Sequence, residues 1–333
     1  MIDKFNEWVK NGIRLDWPRK RVRDGANAMM LDGKVTIVTG SGRGLGAAYA
    51  KALAAAGSAV VVNDVDEAAA QSVVDEITAA GGKAYAVAAP VGPSETADKL
   101  VAAAVEQFGR LDALVTNAGV LRDKSILKMT DDDFDTVINV HLRGTFTCVR
   151  AAYAYFKENE VAGRIVTIGS PTGQRGNFGQ TNYAAAKAGI VGMVRTWAME
   201  MKRAGVTVNA VVPVAATEMT RTVPYFAAAI EAMDQGETMP DFFRKDLGFG
   251  TPDDACGLIT FLVSDAAAGI TGQAIGVGGD RLQVWSHPEP VDTRFHDGGW
   301  SAEDLADIAD EITANAQSVG EKFPPLPQEL QRG

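Results

Sequence analysis

Short apolar segments that alternate with helix-forming segments constrain the fold of this chain more than any other feature. The first two read KVTIVTG (residues 34–40) and AVVVND (residues 59–64), and the alanine-rich AAYAKALAAAG (residues 47–57) lies between them. Apolar runs without polar alternation are typical of parallel strands that are covered on both faces. The order strand, helix, strand indicates right-handed crossovers. We therefore predict an α/β protein with a Rossmann-like, doubly wound parallel sheet.

The alternation sets the predicted domain boundaries. It runs from about residue 31 to residue 280 without a linker, so we predict a single domain over 31–280. A basic N-terminal extension (1–30) precedes it, and a C-terminal tail (281–333) with an acidic helical segment follows it. A segment rich in methionine and aromatic residues, about 214–249, interrupts the alternation after the sixth strand. The segment 132–159 is predicted to form one long helix.

Charge and residue usage exclude several classes of protein. The 333 residues include 32 basic and 42 acidic ones, and a net charge of −10 argues against nucleic acid as a partner. The two cysteines, Cys148 and Cys256, are far apart, and the three histidines are scattered, so neither a disulfide framework nor a metal site is expected. Cysteine usage of this kind fits a reducing cytoplasm.

Targeting signals are not evident in the sequence. It has no apolar run of about eighteen residues, so we expect no membrane span. The first residues lack the apolar core of a signal peptide, and the last residues, QRG, are not a peroxisomal signal. The expected location is the cytoplasm.

A glycine-rich turn, TGSGRGLG (residues 39–46), connects the first strand to the first helix. Glycines at such a turn let a pyrophosphate approach the free N–H groups at the helix N-terminus. The alternative is a tight turn that binds nothing. The context favours a dinucleotide site, and the candidate residues of the turn are Gly40, Arg43, Gly44, Leu45 and Gly46.

Asp64 ends the second strand about twenty residues beyond the glycines, where a carboxylate accepts hydrogen bonds from ribose hydroxyls and repels a 2′-phosphate. Arg43 opposes this preference, because a guanidinium can pair with a 2′-phosphate. The repulsion between a carboxylate and a 2′-phosphate outweighs the attraction that an optional arginine can add. We predict NAD rather than NADP as the cofactor.

The segment TNYAAAKAG (residues 181–189) places Tyr183 and Lys187 four residues apart. Four residues are a little over one helical turn, so the two side chains share a face. A surface helix with a solvated lysine is the alternative interpretation. A phenol has a pKa of about 10, and a neighbouring ammonium together with oxidised nicotinamide is expected to lower the pKa of Tyr183. Tyr183 would then act as an acid or base near neutrality.

These motifs together resemble the short-chain dehydrogenase/reductase family. The glycine turn, NAG (residues 117–119), Asn139, IGS ending at Ser170, and YAAAK occur in that family's order and spacing. The resemblance implies that Tyr183 is the general acid/base and Lys187 its electrostatic partner. It further implies that Ser170 binds the substrate oxygen and that Asn139 positions a water. The residues implied to lie beside the adenine and ribose are Asn117, Ala118 and Gly119.

Longer stretches resemble one group within the family, the dehydrogenase unit of peroxisomal multifunctional enzyme type 2 and its bacterial steroid-degradation relatives. These stretches include NAGVLRDKSILKMTDDDFDTVINVHLRGTF and GNFGQTNYAAAK. The resemblance implies oxidation of a 3-hydroxyacyl-CoA with a bulky or steroid-like acyl group. It also implies homodimers or homotetramers that associate through the helices of Asn139 and Tyr183.

Two other functions stay open at this point. One is the same chemistry on a free secondary alcohol, such as a hydroxysteroid or a terpenoid. The other is a dinucleotide-binding sensor without catalysis, although a sensor has no need of four catalytic positions.

Two positions depart from the family pattern. Pro90 stands where an aspartate near the adenine is usual, so adenine contacts would rest on Val91 and backbone groups. Val214 replaces the glycine that follows the sixth strand in the family, close to the expected nicotinamide position. Both changes concern cofactor affinity rather than the catalytic residues.

The segment 214–249 is interpreted as a substrate lid, with methionines and aromatic residues that suit a bulky apolar group. The basic candidates for CoA phosphates are Arg221, Arg244, Lys245 and the RKRVR run at residues 19–23. His141, two residues after Asn139, is interpreted as a structural helix residue.

Overall fold

The computed structural model describes residues 29–217, 220, 223–320 and 323–331. In this part of the chain eight strands form one sheet with the spatial order 3-2-1-4-5-6-7-8. The strands are β1 (Val35–Thr39), β2 (Ala59–Asp64), β3 (Lys83–Ala88), β4 (Ala113–Thr116), β5 (Arg164–Ile168), β6 (Thr207–Pro213), β7 (Ala274–Gly278) and β8 (Arg281–Val284). The chain order reverses between β1 and β4, the place where ligands bind in sheets of this kind.

Eleven α-helices connect and flank these strands in the described residues. They are α1 (Gly44–Ala55), α2 (Glu67–Ala79), α3 (Ser94–Phe108), α4 (Asp131–Val137), α5 (Gly144–Glu158), α6 (Pro171–Arg175), α7 (Thr181–Glu200), α8 (Ala227–Asp234), α9 (Cys256–Val263), α10 (Ala302–Asp307) and α11 (Ala309–Ala314). Two π-helical turns cover Ile138–Arg143 and Phe242–Leu247. None of the helices in the described part of the chain is long and apolar enough to cross a membrane.

The core lies on both faces of the sheet. One face is covered by α1 and α9, with Tyr49 and Ile259 fully buried. The other is covered by α3, α5 and α7, with Leu100, Phe156 and Val194 fully buried. All five residues of β1 and all six of β2 are buried, as continuous apolar strands require. The predicted doubly wound Rossmann-like sheet is confirmed.

The last strand, which the sequence did not predict, adds one antiparallel pair to the parallel sheet. β8 runs antiparallel to β7, with Ile275 opposite Val284, and it lies in the region assigned to the tail. Gly279, at φ +50°, and Asp280 form the two-residue connection. A tight hairpin needs positive φ at such a position, which glycine adopts without strain.

The predicted long helix 132–159 contains a π-helical turn. Thr130 caps α4 and shares three hydrogen bonds with Asp133, and the turn Ile138–Arg143 then connects α4 to α5 without a break. A π-helical turn adds one residue to a helix without changing its apolar pattern enough to be read from sequence. This turn carries Asn139 and His141.

The C-terminal tail packs onto the segment interpreted as a substrate lid. The Tyr225 hydroxyl donates a hydrogen bond of 2.7 Å to the Pro324 carbonyl, and the Phe323 ring stacks on the Tyr225 ring at 4.9 Å. A few residues earlier in the tail, the Gly320 N–H donates a hydrogen bond of 2.8 Å to the carbonyl of Arg175, the last residue of α6. The tail therefore connects the lid to α6.

Candidate active site

Tyr183 and Lys187 lie on one face of α7 near its N-terminus. The Lys187 Nζ atom lies 5.5 Å from the centroid of the Tyr183 ring. Lys187 is only 3% exposed, and its Nζ donates a hydrogen bond of 2.7 Å to the carbonyl of Ile168, the last residue of β5. The lysine therefore connects the tyrosine helix to the carboxyl edge of the sheet and is not a solvated surface residue.

Ser170 faces the same tyrosine from the end of β5. It caps α6, where its hydroxyl accepts a hydrogen bond of 3.2 Å from the Thr172 N–H. The Ser170 side chain is also close enough to Tyr183 to lower the pKa of its phenol. Close packing of α6 on α7 brings them together, because a Cβ at Gly173 would lie 2.7 Å from the Lys187 backbone.

Burial dominates the electrostatics of this pair. It raises the pKa of the Tyr183 phenol, and the nearby Ser170 side chain offsets part of this effect. Burial also lowers the pKa of Lys187 to about 7, because the ammonium loses its hydration. Burial is therefore the dominant influence on the pKa of Tyr183.

His141, interpreted from the sequence as a structural helix residue, lies buried against Tyr183. Its ring meets the Tyr183 ring edge-on, with centroids 5.1 Å apart, and its Nε2 lies 3.0 Å from the N–H and 2.8 Å from the carbonyl oxygen of Val120. Burial lowers the pKa of His141 to about 3, so the imidazole is neutral. A Cβ at Gly119 would lie 2.3 Å from the His141 Cε1, so this ring requires a glycine in the NAG loop.

Asn139 lies on the same π-helical turn, two residues before His141. Its side chain is exposed, and its amide lies beside Gly92, where a Cβ would approach the Asn139 Nδ2 at 3.6 Å. On this turn Asn139 is exposed and His141 is buried.

The glycine turn fits a dinucleotide. Gly40 has φ +59°, and a Cβ there would lie 2.5 Å from the Ala118 Cα; at Gly46 it would lie 2.1 Å from the Gly40 carbonyl oxygen. Gly44, at φ +55°, faces open space at the start of the twelve-residue helix α1. Open backbone at the positive end of a helix suits a pyrophosphate. Leu45, in contrast, packs partly buried against the core.

Asp64 and Arg43 lie beside this turn, each with a protein partner. The Asp64 carboxylate accepts hydrogen bonds from the N–H groups of Gly42 (3.0 Å) and Asp66 (3.1 Å). The Arg43 side chain is 70% exposed and pairs with Asp66 at 3.0 Å. The Asp64 carboxylate is therefore fixed at the glycine turn by backbone N–H groups. The Arg43 guanidinium is held instead by the Asp66 carboxylate.

Hydrogen bonds join the NAG segment to the end of β1 and the glycine that follows it. The Asn117 side-chain amide donates to the carbonyls of Thr39 (3.1 Å) and Gly40 (2.8 Å). The Thr39 hydroxyl accepts from the N–H groups of Asn117 and Ala118 at 3.0 and 3.1 Å. These bonds align the two loops that edge the cofactor site.

The two departures from the family pattern occupy different environments. Pro90 is exposed, whereas Val91 is 8% exposed and packs against α5, where a Cβ at Gly144 would lie 2.9 Å from its Cγ2. The Val214 N–H donates to the Val277 carbonyl at 2.9 Å, and its side chain packs against the apolar cluster of the lid.

Two basic candidates of the lid are engaged within the protein. Arg244 pairs with Asp254 at 3.0 Å and with Asp280 at 2.6 Å, and Lys245 pairs with Asp241 at 2.5 Å. Arg221, Met219 and residues 19–23 lie outside the described residues. Across the ranges that the structure describes, no group of three or more histidine, cysteine, aspartate or glutamate residues is placed to hold a metal ion.

Comparison with known proteins places this geometry in a family. The family model for short chain dehydrogenases matches residues 34–226. The chain belongs to the short-chain dehydrogenase family. It is therefore an oxidoreductase of the class that acts on CH–OH groups, and members of this family generally bind NAD or NADP.

Three curated relatives refine this placement. The chain is 42% identical over 252 residues to a 3-oxoacyl-[acyl-carrier-protein] reductase of Synechocystis, which covers 75% of this chain and 97% of the relative. It is 42% identical over 287 residues to the hydroxyacyl-CoA dehydrogenase ChsB1 of Mycobacterium tuberculosis, covering 83% and 86%. Identity to the mouse peroxisomal multifunctional enzyme type 2 is 44% over 207 residues, covering 60% of this chain and 28% of that enzyme. The predicted resemblance to this group is confirmed.

A solved structure shows the same fold. The crystal structure of a short chain dehydrogenase from Mycobacterium avium is 37% identical, with a TM-score of 0.74 over 90% of this chain and 98% of that one.

Proposed function

We propose that this protein is an NAD-dependent dehydrogenase of 3-hydroxyacyl-CoA thioesters with a bulky or steroid-like acyl group. The observation that carries the chemistry is the buried Lys187 amine, 5.5 Å from the centroid of the Tyr183 ring, with the Ser170 side chain close enough to lower the pKa of the phenol. The substrate class is supported by the similarity to a hydroxyacyl-CoA dehydrogenase over 86% of that relative.

In this proposal each side chain has one task. Ser170 holds the substrate oxygen beside the Tyr183 hydroxyl, and Tyr183 takes the proton of the alcohol during oxidation. Bound at the glycine turn, NAD would supply the ring that accepts the hydride and a positive charge that favours phenolate. Lys187 stays in place through the Ile168 carbonyl, and Asn139 holds a water at the exposed side of the site.

The preference for NAD rests on Asp64 and on the Arg43–Asp66 pair. A 2′-phosphate would approach two carboxylates, and Arg43 would have to leave Asp66 before it could pair with the phosphate. Melting shifts with NAD and NADP test this point. We expect the larger shift with NAD, and an Asp66→Ala variant should narrow the difference. A larger shift with NADP in the wild type would contradict the argument.

The apolar group of the substrate is assigned to the surface below the lid. Phe226 and Phe249 stack with ring centroids 4.3 Å apart, and Phe243 is fully buried beside them. This cluster follows β6 at the carboxyl edge of the sheet, where Ser170 also lies. The partly exposed side chains packed against this cluster, among them Met233 and Phe242, would offer an apolar surface to a bulky acyl group.

NADH formation with a panel of alcohols tests the proposal. The panel contains short and bulky 3-hydroxyacyl-CoA thioesters, free hydroxysteroids and terpenoid alcohols. We expect the highest kcat/KM with a bulky thioester. Turnover of free alcohols without turnover of thioesters would favour the second substrate class. NAD binding without turnover across the panel would favour a sensor.

A second candidate is the reverse reaction on a thioester carried by a protein. The similarity to a 3-oxoacyl-[acyl-carrier-protein] reductase covers 97% of that relative, which supports testing this carrier. The same acyl group is offered on CoA and on acyl carrier protein, with NADH and with NADPH. Faster reduction on the carrier protein would favour this candidate.

We also infer that the protein forms homodimers or homotetramers through α5 and α7. Phe146 on α5 and Met199 on α7 are 41% and 73% exposed. Light scattering after size-exclusion chromatography gives the mass, and a monomer at micromolar concentration would contradict this inference.

A further inference from the structure

Asn182 is fully buried and directly precedes Tyr183 in the first turn of α7. Its side-chain N–H₂ donates hydrogen bonds to the carbonyls of Arg122 (3.2 Å) and Asp133 (3.0 Å), and its Oδ1 accepts one of 2.8 Å from the Tyr183 N–H. Both donors and the acceptor are thus in use. A buried amide that is satisfied in this way holds the groups around it in one arrangement.

The two carbonyls belong to different elements of the site. Arg122 lies in the loop that continues from Gly119, and Asp133 lies in α4, which leads into the π-helical turn of Asn139. One side chain therefore joins the tyrosine helix to the cofactor loop and to the helix of Asn139.

Neighbouring contacts join the same loop to the segment before α7. The Lys124 N–H donates to the Gly179 carbonyl at 2.9 Å, and the Gln180 side-chain amide donates to the Asp123 carboxylate at 2.7 Å. The latter contact is exposed, so water competes with it. Asn182 supplies the buried side-chain connection to this loop.

No other side chain of this size can make the same contacts. An aspartate would direct a carboxylate oxygen at two carbonyl oxygens, and a leucine would leave both carbonyls without a donor. An alanine would remove all three hydrogen bonds and leave a small void.

We propose that Asn182 is a positioning residue, which holds the Tyr183 hydroxyl in register with Ser170 and with the loop after Gly119. This role rests on the proposed function, because it assigns the proton transfer to Tyr183. Displacement of a reacting group by about 1 Å can reduce a rate by about a hundredfold. The loss should therefore appear in kcat rather than in KM or in cofactor affinity.

The test compares Asn182→Ala with Asn177→Ala. Asn177 is exposed, lies five residues earlier and donates its amide to Gln180, so it is a matched control for the loss of a side-chain amide. With the best alcohol of the panel, we expect kcat to fall ten- to a hundredfold in the Asn182 variant. KM and the NAD dissociation constant should stay within about twofold of wild type. The control should stay within about twofold in all three quantities.

Two further measurements separate positioning from general loss of structure. The primary deuterium isotope effect on kcat should rise in the Asn182 variant, because a misplaced tyrosine makes the chemical step slower than product release. Asn182→Ser, whose hydroxyl can donate to one of the two carbonyls, should recover part of kcat. If the alanine variant does not fold, Asn182→Ser takes its place in the kinetic comparison.

Hydrogen exchange tests the anchoring without reference to activity. Residues 119–124 and 176–184 should exchange faster in the Asn182 variants than in the wild type and the control. Unchanged exchange, or a kcat within twofold of wild type, would overturn the proposal. If the wild-type protein turns over no hydroxyacyl-CoA, the proposed function fails, and the exchange measurement still decides the role of Asn182.

Discussion

Replacement of Lys187 by methionine should remove activity and change the pH dependence of stability in a defined direction. Burial lowers the pKa of this amine from about 10.5 to about 7. Between these values the unfolded chain binds a proton at Lys187 that the folded chain does not bind. The free energy of unfolding therefore rises with pH across this window.

The size of the effect follows from the two pKa values. Well below pH 7 the amine is charged in both states, and burial of the ammonium costs roughly 5 kcal/mol. At pH 9 the folded protein holds the neutral amine, and the remaining cost is about 2 kcal/mol. The wild-type protein should thus gain about 3 kcal/mol from this group between pH 6 and pH 9.

The Lys187→Met variant has no amine at this position, so it lacks this pH-dependent contribution to stability, and it nearly keeps the side-chain volume. The variant leaves the Ile168 carbonyl without its donor, at a cost of about 1–3 kcal/mol that does not depend on pH. Its stability relative to wild type should therefore be higher at pH 6 than at pH 9 by about 3 kcal/mol. The constant cost cancels in this comparison.

Urea unfolding without added cofactor, at one protein concentration, measures the stability difference between Lys187→Met and the wild type at pH 6 and at pH 9. Lys202→Met is the control, because Lys202 is exposed just after α7 and should show no such pH dependence. A stability difference that is the same at pH 6 and pH 9, or that is larger at pH 9, would refute the reasoning that desolvation controls Lys187.

Three other substitutions test neighbouring parts of the argument. Tyr183→Phe should abolish turnover while calorimetry shows near-normal NAD binding; appreciable activity would remove Tyr183 from its assigned role. Gly119→Ala should cost about 1–3 kcal/mol in thermal unfolding, because its Cβ meets the His141 ring at 2.3 Å. The cost should fall by at least half in a His141→Ala background, and simple additivity would speak against the contact. Tyr225→Phe should cost about 0.5–1.5 kcal/mol and speed proteolysis of the tail, since it frees the Pro324 carbonyl; unchanged cleavage would contradict that role.

The parts of the fold that depend on local patterns could be predicted from the sequence. Continuous apolar runs indicate buried parallel strands. The glycine turn indicates a strand-to-helix connection in which side chains would not fit. The proximity of Tyr183 and Lys187 follows from helical geometry alone.

Features that depend on contacts distant in sequence could not be predicted. The position of His141 against Tyr183 depends on the extra residue of a π-helical turn and on the absence of a side chain at Gly119. The partners of Arg244 come from two other segments, so its sequence neighbourhood suggested a free cation. The raised pKa of Tyr183 depends on burial, which no spacing reports.

The contact between the tail and the lid has a consequence for the order of folding. Tyr225 and Pro324 are separated by 99 residues, whereas Ser170 and Tyr183 are separated by thirteen. Short loops close at a lower entropic cost than long ones, and a chain leaves the ribosome N-terminus first. The tyrosine, serine and lysine can therefore assemble while the C-terminal segment is still being synthesised. The segment around Tyr225 gains this support last, so a chain cut near residue 320 would keep the arrangement of Ser170, Tyr183 and Lys187 and lose the contact between the tail and Tyr225.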